Sequence, residues 1–140
     1  MVQRVSAGVT NGEGYSVAHL DDLGDGPGFR KIRAELDVTE FGVNAIVLPA
    51  GYETGFHMHE RQQELYFLHS GRVEIEFGDG STHPLAPGGL ARVDASAKRK
   101  LRNVGEGEAI YVCVGGQGGY VGRDGVLPDG EQRAQPSSGA

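Results

Sequence analysis

Residues 51–71 read GYETGFHMHERQQELYFLHSG, with His57 and His59 two residues apart and Glu64 five further on. On a strand, residues i and i+2 point to the same face. His57 and His59 then project together, with Met58 on the other side. On a helix the same pair would diverge by about 200°. The strand reading is what makes the pair a chelate. A polar turn, Glu60-Arg61-Gln62-Gln63, follows, and a second strand begins at Glu64 with Tyr66 and Leu68 on its face. An antiparallel neighbour of this kind brings Glu64 opposite the histidines. Two neutral imidazoles and one carboxylate form a three-ligand set with open positions, suited to Fe, Mn, Zn, Ni or Cu. The bland alternative is a His-x-His pair that serves structure alone.

The rest of the chain is punctuated in the same way. Of 140 residues, 24 are Gly, well above the usual ~7%, and they lie between short apolar runs as turn residues do. The expected strands are 29–35 (weak), 41–48, 53–59, 64–70, 73–77, 81–85, 90–93, 98–103 and 108–115. No segment carries a sustained apolar repeat at helical spacing. Ala18–Leu23 reads as a single helical turn before the breaker Gly24-Asp25-Gly26-Pro27-Gly28. Strands at spacings of roughly 8–12 residues indicate an all-β sandwich or barrel. Residues 1–28 are expected as an N-terminal arm, 29–127 as one barrel and 128–140 as a disordered tail, because the tail has no apolar content. Tyr120-Val121-Gly122-Arg123 is a candidate extra strand.

Composition narrows the function classes. The net charge is −6 and no Lys/Arg-rich face is evident, which argues against nucleic acid as a partner. The longest apolar runs are about six residues, short of the ~20 of a membrane helix, and the N-terminus lacks the apolar core of a signal peptide. Cys113 is the single cysteine and cannot form an internal disulfide. A cytoplasmic protein is the expectation.

The bracketing glycines carry a resemblance. Gly51, His57, His59, Glu64 and Gly71 match every defining position of the first cupin motif, so the chain resembles the cupin superfamily from about Phe41 to Gly115. In the second cupin motif, Gly88 and Asn103 match, whereas Asp94 stands where Pro is expected, Ser96 where Gly is expected, and Arg99 where the family has its fourth metal ligand, a His. The resemblance implies a double-stranded β-helix (the jelly-roll barrel), one divalent transition metal inside it, and a homodimer.

Arg99 is the informative departure. Arg offers no lone pair and does not ligate. It has three readings. It faces the cavity beside a metal held by His57, His59 and Glu64 and receives an anionic substrate through its guanidinium fork. It pairs with Glu64 and replaces the metal. Or it points outward at the barrel mouth. The leading functional reading is a metal-dependent enzyme, of the dioxygenase or a related type, acting on a small anionic organic molecule, with Arg99 and Tyr66 as candidate catalytic residues. The alternative is a non-catalytic ligand-binding cupin without metal. Phe56, Tyr66, Tyr111 and Cys113 line the cavity or fill the core. Asn103 fixes a turn, and His19, His69 and His83 are expected at the surface.

Overall fold

The segment that follows the histidines shows how sequence alternation becomes architecture. In a computed structural model, which describes residues 4–6, 8–122, 124–126 and 134–136, the strand Gln63–Ser70 alternates exposed and buried residues along its length. Glu64, Tyr66 and Leu68 face inward; Gln63, Leu65, Phe67 and His69 face outward. A period of two is what places every second side chain in the interior.

In chain order the elements are β1 Arg4–Ser6, β2 Val9–Gly12, β3 Tyr15–Ala18, a 3₁₀ turn Leu20–Leu23, β4 Gly28–Arg30, α1 Ile32–Glu35, β5 Gly42–Leu48, β6 Tyr52–Thr54, β7 Met58–His59, β8 Gln63–Ser70, β9 Val73–Phe77, β10 Thr82–Leu85, β11 Leu90–Val93, β12 Arg99–Asn103, β13 Ala109–Gly116, β14 Gly125–Val126 and β15 Ala134–Pro136. Two five-stranded antiparallel sheets form the barrel, ordered β10-β9-β12-β6-β15 and β11-β8-β13-β5-β4. This is the all-β double-stranded β-helix that the sequence implied.

The inward faces meet in one core built from Tyr66, Leu68, Val73, Ile75, Val93, Leu101, Ala109 and Tyr111. Between β8 and β9 the chain turns at Gly71, whose φ is +84°. A Cβ there would lie 2.7 Å from Ala109 Cα and Glu108 O. Only Gly fits both the left-handed backbone and the close approach.

Several expectations change. The weak strand 29–35 ends at Arg30; Ile32-Arg33-Ala34-Glu35 forms α1, four residues with no Gly or Pro among them to oppose a helical turn. The run 53–59 splits into β6 and β7, and His57 joins the barrel through an isolated bridge to Arg99. Within the expected N-terminal arm, β1, β2 and β3 make a three-stranded sheet, and Gly28 already belongs to β4. The expected tail contains β15, which pairs with β6 and covers an edge whose N–H and C=O groups would otherwise be open; its remaining residues lie outside the described ones. Tyr120–Gly122 form no strand, Arg123 lies outside the described residues, and the late strand is β14, paired with β7. No described helix is long and apolar enough to cross a membrane.

Candidate functional site

β7, β8 and β12 carry the site. His57 and Arg99 sit directly opposite one another and exchange both backbone hydrogen bonds, each at 3.0 Å. β12 alternates so that Arg99, Leu101 and Asn103 face inward. The barrel-mouth reading of Arg99 is therefore excluded: its side chain is 0% exposed. His57, His59 and Glu64 each offer a ligand atom, all within 4.8 Å of one another. The two imidazoles stand edge to face, centroids 5.4 Å apart.

Glu64 Oε1 is the hub. The Tyr66 hydroxyl donates to it at 2.7 Å and Arg99 Nη2 donates at 3.1 Å. His59 Nε2 lies 3.2 Å away. The rest of the Arg99 fork is also committed. Nη1 donates to the carbonyls of Ala97 at 2.7 Å and Ala95 at 3.2 Å, with Asp94 O at 3.5 Å, and Nε donates to Tyr66 at 3.4 Å. Arg99 thus clasps the 94–97 turn to the carboxylate.

Electrostatics follow from this packing. Burial, then the Arg99 charge, lowers the His57 pKa from 6.5 to about 4, so its ring is neutral. Burial works to raise the Glu64 pKa, but the His59 ring, the Tyr66 hydroxyl and Arg99 outweigh it and bring it down to about 2. Burial pushes Tyr66 well above the ordinary phenol range, so Tyr66 keeps its proton. The same cause, aided by Glu64, raises the Cys113 thiol.

These donors fit a divalent metal. Two neutral-imidazole ligands and an ionised carboxylate are the required chemistry. His59 Nε2, buried beside the carboxylate, has no hydrogen-bond partner. Such an orphaned atom costs about 1–3 kcal/mol unless something engages it.

Comparison with known proteins agrees with this architecture. Residues 44–115, half of the chain, match the family described as the cupin domain. The chain is a cupin. An L-ectoine synthase from Vibrio campbellii is 32% identical over 74 residues, 53% of this cupin and 57% of that protein, so the chain spans little more than half of that relative. A cupin protein from Bacteroides fragilis superposes with TM-score 0.57 at 26% identity, covering 74% of this chain and 90% of that one. A double-stranded β-helix protein from Klebsiella pneumoniae gives TM-score 0.58 at 23% identity, with 64% and 76% covered.

Around the three donors, this cupin places the other expected residues variously. Tyr66 is in the site. Tyr111 is core, its ring centroid 5.9 Å from that of Tyr66, and Cys113 packs against the same cluster. Phe56 instead lies under Lys100 Nζ, 4.9 Å from its ring centroid, on the face of β12 opposite Arg99. Asn103 does fix its turn, donating to Leu48 O and Gly107 O and accepting from Gly105 N. His19, His69 and His83 are exposed. Gln63, beside the carboxylate in sequence, donates outward to Asp94 at 2.8 Å.

Sequence reasoning missed two neighbours of His59. Gln62 Nε2 is 3.0 Å from His59 Nδ1, and Asp124 Oδ2 is 3.7 Å from the same atom. Asp124 Oδ2 also accepts from Arg61 N and Gln62 N, both at 2.9 Å. Asp124 is 62 residues from Gln62 in sequence, and no local pattern announces that pairing.

Proposed function

We propose that this cupin binds one divalent transition-metal ion through His57, His59 and Glu64, and that it is a cytoplasmic, homodimeric, metal-dependent enzyme acting on a small anionic organic molecule. The observation that carries the reading is the cluster of three donors, Glu64 buried and both histidines half-buried, in which His59 Nε2 has no hydrogen-bond partner. When bound, the metal supplies Lewis-acid or oxygen-activating chemistry. Arg99 cancels the charge of Glu64, and Asp124 behind His59 offsets one charge of a divalent ion, so the site keeps a net positive charge in a poorly solvated setting. An anion is the ligand that answers this.

Arg99 contributes by charge and by orienting Glu64 rather than by gripping the substrate, because its fork is already committed. Tyr66 holds a proton on its hydroxyl, 3.5 Å from His57 Nε2, and is the nearest acid to the cluster. The test is elemental analysis of untagged protein after reloading with Fe, Mn, Zn or Ni. About one equivalent is expected in the wild type, lost in both His57→Ala and Glu64→Ala. Full stoichiometry in both variants would overturn the ligand set.

A second reading is favoured by one observation, the Arg99–Glu64 pair at 3.1 Å, in which Arg99 is fully buried. It satisfies both charges without a metal and leaves a non-catalytic ligand-binding barrel. A wild-type protein that takes up none of the four metals selects this reading.

A further inference from the structure

The inner face of the β8 sheet can be followed row by row, because residues directly opposite one another in antiparallel strands share a face. In the deep rows the space is filled: Leu48, Leu68, Ala109 and Tyr111 are no more than 4% exposed. Toward the site it is not. Ile46 and Cys113 pack inward on the core, yet both are only half-buried. Asn44 stands in register with Cys113 across β5 and β13 and is half-buried too. On its other side Cys113 is in register with Tyr66. The next row toward the mouth is Gly42, Gly115 and Glu64, and its two glycines put no side chain on the wall. The roof comes from elsewhere: a Cβ on Gly115 would collide with Gln62 Oε1, and one on Gly42 would meet the Tyr120 ring at 3.5 Å. An accessible recess is left beside Glu64, lined by Ile46 and Cys113, with Asn44 on its far wall. Two strand spacings, about 10 Å, separate the backbones of Asn44 and Tyr66.

Asn44 is the exception on this inner surface. Polar side chains turned inward normally find partners, and Glu64, Tyr66, Arg99 and Asn103 all do. Among the described residues, none hydrogen-bonds to the Asn44 side chain.

We infer that Asn44 is a specificity-determining residue whose free amide receives an uncharged hydrogen-bonding group of the ligand. The substrate class is then a small carboxylate with a hydroxyl, carbonyl or amide several bonds from its charged end. This deepens the proposed function and rests on it for the charged end, which the positive cluster attracts. The Arg99 donors are spent, so the other end is read by Asn44. Its amide offers both a donor and an acceptor and, being neutral, gives no advantage to a second charge. A wholly apolar chain in the recess strips water from the amide and returns no hydrogen bond, which disfavours it.

Titration calorimetry tests this on protein reloaded with whichever of the four metals it takes up. The probes are β-hydroxypropanoate, γ-hydroxybutanoate and δ-hydroxypentanoate. Each is compared with the acid in which methyl replaces the hydroxyl: butanoate, pentanoate and hexanoate. In the wild type at least one hydroxy acid should bind about 3- to 10-fold tighter than its methyl counterpart, as one net hydrogen bond provides. Asn44→Leu, similar in size, should erase that preference and keep the metal content. Asn44→Asp, also of similar size, should weaken the whole panel by adding a like charge to the recess, and it decides alone where Asn44→Leu does not fold. No preference in any wild-type pair, a preference that survives Asn44→Leu, or affinities unmoved by Asn44→Asp overturns the inference. If the wild type takes up no metal, the same titrations are run on the metal-free barrel. A preference that depends on Asn44 there upholds the inference and discards the metal reading alone; absence of binding overturns the inference as well.

Discussion

Arg99 occupies the family's fourth-ligand position, and the surroundings explain how the barrel tolerates it. Its charge meets Glu64 through Nη2, three backbone carbonyls take Nη1, and the Tyr66 hydroxyl takes Nε. Arg99→Met should therefore cost about 3–5 kcal/mol of unfolding free energy, because a buried carboxylate loses its cation. Urea denaturation of chelator-treated protein measures this. Saturating divalent metal should narrow the gap to wild type, since a cation at Glu64 replaces the lost charge. A variant as stable as wild type would show that the clasp contributes no net stability. Acid should act on the same cluster. His57 titrates at 6.5 when free and about 4 when folded, so its contribution is present above pH 6.5 and is lost as pH falls toward 4. Glu64 titrates at 4.5 when free and about 2 when folded, so its contribution is lost between pH 4.5 and 2. Each shift corresponds to at most about 3 kcal/mol. His57→Asn should flatten the upper window of a stability–pH profile and leave the lower one; an unchanged profile would mean that His57 is not held neutral. Both histidines, Glu64 and the anomaly at position 99 were legible in sequence, because ligand type and strand parity are local properties. The orientation of the Arg99 fork was not, since it depends on where the 94–97 turn places its carbonyls.

The elements divide along a similar line. Strands with clean alternation, such as β8, β9 and β12, are readable because burial on one face imposes a period of two. The separation of β7 from β6 within the expected run 53–59 is not, because two residues paired only with β14 carry no periodic signal. β14 and β15 were invisible for a related reason: their pairing is long-range, and their sequences lack the β-branched runs that mark strands. The turn between β8 and β9 shows how much one position can demand. Gly71→Ala places a Cβ 2.7 Å from the backbone at positions 108 and 109 and forces Ala into a φ of +84°. A loss of about 1–3 kcal/mol is expected from the backbone conformation alone, and the clash adds to it. The denaturation midpoint should fall clearly; an unshifted midpoint would show that β13 can retreat from the hairpin at little cost.

At the scale of the whole molecule, the two faces of the β8 sheet have different fates. Its inner face holds the site. Toward β5 its outer side is covered, with Ala45 and Val47 buried. Toward β11 it is bare: Leu65, Phe67 and Leu90 are 42%, 39% and 61% exposed, and Leu90 lies directly opposite Phe67 across β11 and β8. Single exposed apolar residues need no explanation, but neighbours in register on one sheet face mark a surface suited to association. A second copy of this chain is the occupant that the proposed homodimer requires. A flat strip of paired strands can meet its own image about a two-fold axis, each copy giving the same patch. Phe67→Glu with Leu90→Glu places like charges in that contact and leaves the inward residues of β8 untouched. The wild type should sediment as a dimer at micromolar concentration and the double variant as a monomer, both with the same metal content. A monomeric wild type would remove the dimer from the proposal without touching the site, because all three donors, Arg99 and Asp124 belong to one chain.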